Sequence, residues 1–82
     1  MNLDEIKKKA LDEHIPIIMD DTLNVIENIM KETKPTAILE IGTAVGYSAI
    51  CFSRLLADGG RIDTIERDEE RVKEARENMK IV

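Results

Sequence analysis

The run Ile38-Leu39-Glu40-Ile41 breaks at Gly42, and from about Gly46 a helical pattern follows through Tyr47, Ser48, Ala49 and Ile50. Glu40 aside, the run is apolar on both faces, the makeup of a parallel strand covered by helices on each side. A buried strand that turns sharply through glycine into a helix is compatible with few folds. It predicts one βαβ unit that carries a ligand at the turn.

The rest of the chain fits around that unit. Residues 3–14 form an amphipathic pattern through Leu3, Ile6, Ala10 and His14, with Asn2 as N-cap. Pro16 pushes Ile15 towards an extended conformation, so the first helix stops near His14. An uncharged connector, Ile15-Pro16-Ile17-Ile18-Met19, follows and either fills the core or walls a pocket. Asp20 or Asp21 caps a second helix that runs to about Thr33, with Leu23, Ile26 and Met30 as its stripe and Val25 and Ile29 widening it. The first strand spans Thr36 to Ile41, and the next helix ends before Asp58-Gly59-Gly60. Arg61 to Glu66 is the second strand, with Ile62 and Thr64 on one side and Asp63 and Ile65 on the other. Asp68 caps a last helix whose buried stripe is Val72, Ala75, Met79 and Val82.

The order is therefore α-α-β-α-β-α in one α/β domain. Residues 1–34 form a helical segment and residues 35–82 a βαβα unit with two parallel strands. Two parallel strands leave both sheet edges bare, and 82 residues enclose only a marginal core. The expectation is the N-terminal part of a doubly wound, Rossmann-like domain, or a module completed by partner chains.

Composition narrows the partners. Twelve basic against seventeen acidic side chains give a net charge of −5, unlike the clustered positive charge of a nucleic-acid footprint. Lys7-Lys8-Lys9 is flanked by acids and reads as a solvated face. One cysteine allows no intrachain disulfide, and no His/Cys cluster has zinc spacing. His14, the sole histidine, has no Ser, Cys or Asp at a suggestive spacing. The charged N-terminus has no signal-peptide core, and no apolar run approaches the ~18 residues of a membrane span. The reading is a cytoplasmic protein.

At the turn, Gly42 allows the chain to leave the strand sharply and Gly46 allows close packing at the helix start, with Ala44 at the middle small position. Exposed N–H groups there would attract a carboxylate or phosphate, and the Ser48 hydroxyl could join them. Glu66 closes the second strand about 20 residues beyond Gly46, where an acid accepts ribose hydroxyls in nucleotide-binding α/β folds. A carboxylate on an apolar strand, as Glu40 is, is costly unless paired or functional.

The stretch Glu40-Ile41-Gly42-Thr43-Ala44-Val45-Gly46-Tyr47-Ser48 resembles the first motif of class I S-adenosylmethionine-dependent methyltransferases, in the form of the catechol and caffeoyl-CoA O-methyltransferase branch. Ile62-Asp63-Thr64-Ile65-Glu66-Arg67 resembles that branch's second motif. The 14–18 connector and the helix after it resemble bacterial members, among them tRNA 5-hydroxyuridine methyltransferases. The resemblance implies S-adenosylmethionine as cofactor, with Glu66 on the ribose hydroxyls and Arg67 beside it. The Gly42-Thr43-Ala44 turn, Gly46 and Ser48 would hold the methionine portion, and Glu40 would face its amino group. Ile17 and Ile18 would lie over the cofactor, and Tyr47 either contacts it or packs in the core. In the full-length family a magnesium ion is held by Asp and Asn on later strands, ligands that this sequence does not contain. The implied reaction is methyl transfer to a hydroxyl oxygen of a tRNA wobble uridine or a catechol-like molecule, which 82 residues alone would not carry out. Two alternatives stand beside it: a non-catalytic module that forms homo-oligomers through its sheet edges, and the NAD-binding half of an oxidoreductase.

Overall fold

The computed structural model describes residues 2–81, so Val82 lies outside the described residues. Helix α1 (Leu3–Asp12) begins on a capping box: the Asn2 side chain accepts from the Glu5 N–H at 2.9 Å, and the Glu5 carboxylate accepts from the Asn2 N–H at 3.4 Å. It ends two residues earlier than the apolar spacing predicts. His14 takes a left-handed backbone (φ 58°), and the His14 and Ile15 N–H groups close back on Leu11 and Ala10. This Schellman closure turns His14 out to solvent and Ile15 into the core.

Helix α2 (Asp20–Thr33) differs from expectation at its start. Its N-cap is Met19, without a side-chain cap, because Asp20 is already helical and accepts an ion pair from Lys7 at 2.6 Å. Leu23 and Met30 are buried as the pattern requires, whereas Val25 and Ile29 lie more than half exposed. The stripe is thus narrower than the sequence implies. Lys34 ends the helix in a left-handed conformation, with its N–H on the Met30 carbonyl.

Strand β1 (Ala37–Ile41) pairs in parallel with β2 (Arg61–Ile65), placing Ile38 beside Ile62 and Glu40 beside Thr64. Helix α3 (Tyr47–Ser53) lies between them in the chain and is short. Leu55 bonds back to Phe52, tightening the turn, and the Ala57 N–H is held by the Pro35 carbonyl at the foot of β1. Helix α4 (Glu69–Ile81) starts on Asp68, whose carboxylate accepts from the Glu70 N–H at 3.0 Å. Glu74 of α4 meets both Arg71 (3.0 Å) and Lys9 of α1 (3.5 Å), in place of the Glu69–Lys73–Glu77 pairing that four-residue spacing favours.

Among the described residues the sheet is covered on one face only. Ile38, Glu40, Ile62 and Thr64 point towards the helices, and their neighbours Ala37, Leu39, Ile41, Arg61, Asp63 and Ile65 are exposed. The expectation of helices on both sides of β1 therefore fails among the described residues. The core is Ile6, Ala10, Ile15, Leu23, Met30, Val45, Tyr47, Ile50, Cys51 and Phe52, between α1, α2, α3 and the covered face.

Candidate cofactor site at the β1 turn

Parallel pairing carries the sheet ladder beyond the strands. The Ile65 carbonyl accepts from both Gly42 (2.7 Å) and Thr43 (3.2 Å), which pins the start of the turn to the end of β2. Three consecutive even positions then adopt positive φ: Gly42 at 95°, Ala44 at 48° and Gly46 at 88°. Gly42 has open space where a side chain would be, so its backbone conformation alone favours glycine. Gly46 has a further reason. A Cβ there would sit 3.3 Å from the Ala75 Cβ and the Met79 Cε, so α4 packs directly on the turn.

The turn's donors are largely engaged within the protein. Gly42 and Thr43 bond Ile65, Ala44 donates to Glu66 Oε1 at 2.9 Å, and Gly46 bonds the Thr43 carbonyl at 2.9 Å. Those four N–H groups are not free for an anion, and the chemistry of the site lies in its side chains.

Glu40 is the centre of those side chains. Ser48 Oγ donates to Glu40 Oε2, and Thr64 Oγ1 donates to Oε1 at 2.9 Å. Both oxygens keep acceptor capacity, since an ionised carboxylate offers about four lone-pair sites. Thr43 Oγ1 lies 2.6 Å from Thr64 Oγ1 and extends the network into the turn. A cavity of about 220 Å3 opens beside it, lined by Glu40, Ile41, Gly42, Thr43, Ala44, Tyr47 and Ser48 on one side and Pro16, Ile17 and Ile18 on the other. Sites for whole small molecules are usually ~300 Å3 or more, so this cavity matches one end of a ligand.

The remaining expected residues separate into three groups. Glu66 does not line this cavity but is tied to its wall: its two oxygens accept from the Asp68 N–H (3.0 Å) and the Ala44 N–H, and these donors hold its carboxyl below the usual range. Gly46 is buried under α4, and Arg67 is exposed on the far side of Glu66, in a surface depression with α4. Tyr47 lines the cavity, and its buried phenol, with a pKa pushed up by desolvation, packs in the core. Among the described residues no group of three or more His, Cys, Asp or Glu is placed to hold a metal ion.

Two residues that position the site were not foreseen. The strand pattern gives Thr64 a face but no partner; its signal is a hydroxyl two residues before Glu66, on the same side as Glu40 once the strands pair. Asn78 is buried in α4 and donates from Nδ2 to the Val45 carbonyl at 2.9 Å. An amide three residues beyond Ala75 on an otherwise apolar stripe is the mark that could have revealed it.

Comparison with known proteins now decides the lineage. The family model described as protein-L-isoaspartate(D-aspartate) O-methyltransferase matches residues 12–82. The chain belongs to this O-methyltransferase family. A Staphylococcus aureus protein assigned as a caffeoyl-CoA O-methyltransferase superposes with a TM-score of 0.89 at 31% identity, over 99% of this chain and 38% of its own. An O-methyltransferase from Bacillus cereus, solved in complex with SAH, gives 0.82 at 30% identity, over 95% of this chain and 36% of its own. Catechol O-methyltransferase of Bos taurus is 40% identical over 42 residues, 51% of this chain and 15% of that protein. The two-stranded architecture is thus the N-terminal part of a Rossmann-like methyltransferase fold. The chain spans little more than a third of those solved structures. No helix among the described residues is long and apolar enough to cross a membrane.

Proposed function

We propose that this chain is the S-adenosylmethionine-binding segment of an O-methyltransferase, with the methionine end of the cofactor in the cavity between the 15–19 connector and the 42–48 turn. Glu40 carries the reading. It is a carboxylate on the covered face of a sheet, oriented by two hydroxyl donors and with acceptor capacity left at a cavity of suitable chemistry. A group that completes such a site must donate hydrogen bonds and carry positive charge, as the cofactor's amino group does. The complex of the Bacillus cereus relative with SAH supports the same ligand class.

On this reading Ser48, whose one hydroxyl proton goes to Glu40, orients that carboxylate, while Ile17 and Ile18 cover the apolar thioether region. Glu66 accepts the ribose hydroxyls with the lone pairs that Ala44 and Asp68 leave free. Bound there, the cofactor supplies a sulfonium methyl group for transfer to oxygen. The residues of this chain bind and orient it. The acceptor belongs to the same proposal for a whole protein of the family: a hydroxyl oxygen of a tRNA wobble uridine or a catechol-like molecule, with magnesium assisting. Nothing in the site's chemistry favours the nicotinamide alternative, and the family match runs against it.

Titration calorimetry with S-adenosylhomocysteine tests the assignment. The expected result is weak binding that falls about tenfold in Glu66→Ala, roughly the loss of one charge-assisted hydrogen bond. Binding unchanged by that substitution removes the ribose role, and no binding by the unaltered chain removes the reading.

A second reading rests on a separate observation: Leu39, Ile41 and Ile65 are 65%, 81% and 56% exposed on one sheet face. We propose that copies of the chain associate through this face and the strand edges, since such surface is normally covered. Sedimentation across a concentration series checks it, and a monomer throughout counts against it.

A further inference from the structure

We infer that Thr64 is a positioning residue for the cofactor's amino group, acting through Glu40; the inference rests on the reading proposed above. Proton accounting in the network leads there. The Thr64 hydroxyl has one proton, and at 2.9 Å from Glu40 Oε1 it must donate, because an ionised carboxylate only accepts. The contact at 2.6 Å between the two threonine hydroxyls then has a single polarity: Thr43 donates and Thr64 accepts. The chain of donors runs from Thr43 through Thr64 to Glu40, and Ser48 donates to the other carboxylate oxygen.

Each link rests on a different element. Thr43 is buried in the turn, Thr64 is half-buried on β2, Glu40 is on β1 and Ser48 is in the first turn of α3. Strand pairing sets Glu40 directly beside Thr64, so the contact is a consequence of register. With one donor on each oxygen, rotation of the carboxylate is blocked on both sides. Glu40 lines the cavity, so a cationic donor there can meet the lone pairs that remain. Without the Thr64 hydroxyl, Oε1 loses its protein partner and the carboxylate pivots about its single bond to Ser48.

Thr64→Val keeps the shape and β-propensity of the side chain and removes only the hydroxyl; Thr64→Ser keeps the hydroxyl. The two probes are S-adenosylhomocysteine, which carries the amino-acid end, and 5′-methylthioadenosine, which lacks it, both titrated against the intact chain by heteronuclear NMR. Thr64→Val is expected to weaken S-adenosylhomocysteine at least fivefold and to leave 5′-methylthioadenosine within twofold. Thr64→Ser should restore the first to near the unaltered value. Equal weakening of both probes, or weakening of neither, overturns the positioning role while leaving the cofactor reading intact. Failure of the unaltered chain to bind S-adenosylhomocysteine overturns both. Thr64→Ala carries the same comparison if the valine variant does not fold.

Discussion

The two faces of the β1–β2 sheet are built from alternate residues of the same ten positions, yet they serve different ends. The covered face joins Ile38 and Ile62, packed against the core, to Glu40 and Thr64, which orient the candidate site. The other face presents Leu39, Ile41 and Ile65 to solvent beside an Arg61–Asp63 ion pair at 3.0 Å. Both faces are apolar enough to be interior. Apolar composition therefore tells which surfaces can be buried, and the position of the helices decides which one is.

Replacing adjacent residues gives the sharpest contrast. Ile38→Ala is expected to cost about 2 kcal/mol, as a partly buried member of the aliphatic set, whereas Leu39→Ala should stay within ~0.5 kcal/mol. Urea unfolding of the two variants measures both, and equal losses would mean that the second face is buried in solution.

Asn78→Ala follows, with an expected loss of about 1–2 kcal/mol from leaving the Val45 carbonyl without its buried donor. Thermal unfolding reads the loss, and the variant should also weaken S-adenosylhomocysteine binding, because it loosens the turn from behind.

Glu66 makes a smaller contribution that depends on pH. Its carboxyl is depressed by the Asp68 and Ala44 N–H donors. The stability it contributes is present above the unfolded value of about 4.3 and disappears as pH falls through the folded value. Glu66→Gln should therefore be less stable than the parent at pH 7 and converge with it in acid, in denaturant titrations at both ends of that range.

Least affected in stability should be Ile41→Lys, which alters a side chain 81% exposed. Its stability should change by no more than ~0.5 kcal/mol, while any association through the bare face, read by sedimentation, should disappear.

Much of this organisation was legible in the residues. Asn2 and Glu5 announce the first cap, Asp68 the last, and the Gly42–Gly46 spacing marks the turn. The misreadings have a common origin in information that local pattern does not hold. Val25 and Ile29 have helical periodicity, but no described element covers them and they stay more than half exposed. Asp20 is a good capping residue, yet it is already helical and its carboxylate is paired with Lys7, thirteen positions away. The free N–H cradle expected at the turn was overestimated because the Ile65 carbonyl and the Glu66 carboxylate, both from β2, accept those donors. Thr64 and Asn78 escaped notice for the same reason, since their partners lie 24 and 33 residues away.

The clamp of Asn78 on Val45 also sets an order of assembly. The turn that begins the candidate site leaves the ribosome well before the residue that holds it from behind. Until position 78 has been synthesised and α4 can dock on Gly46, the Val45 carbonyl lacks its buried donor. The first half of the motif is made early and becomes rigid late.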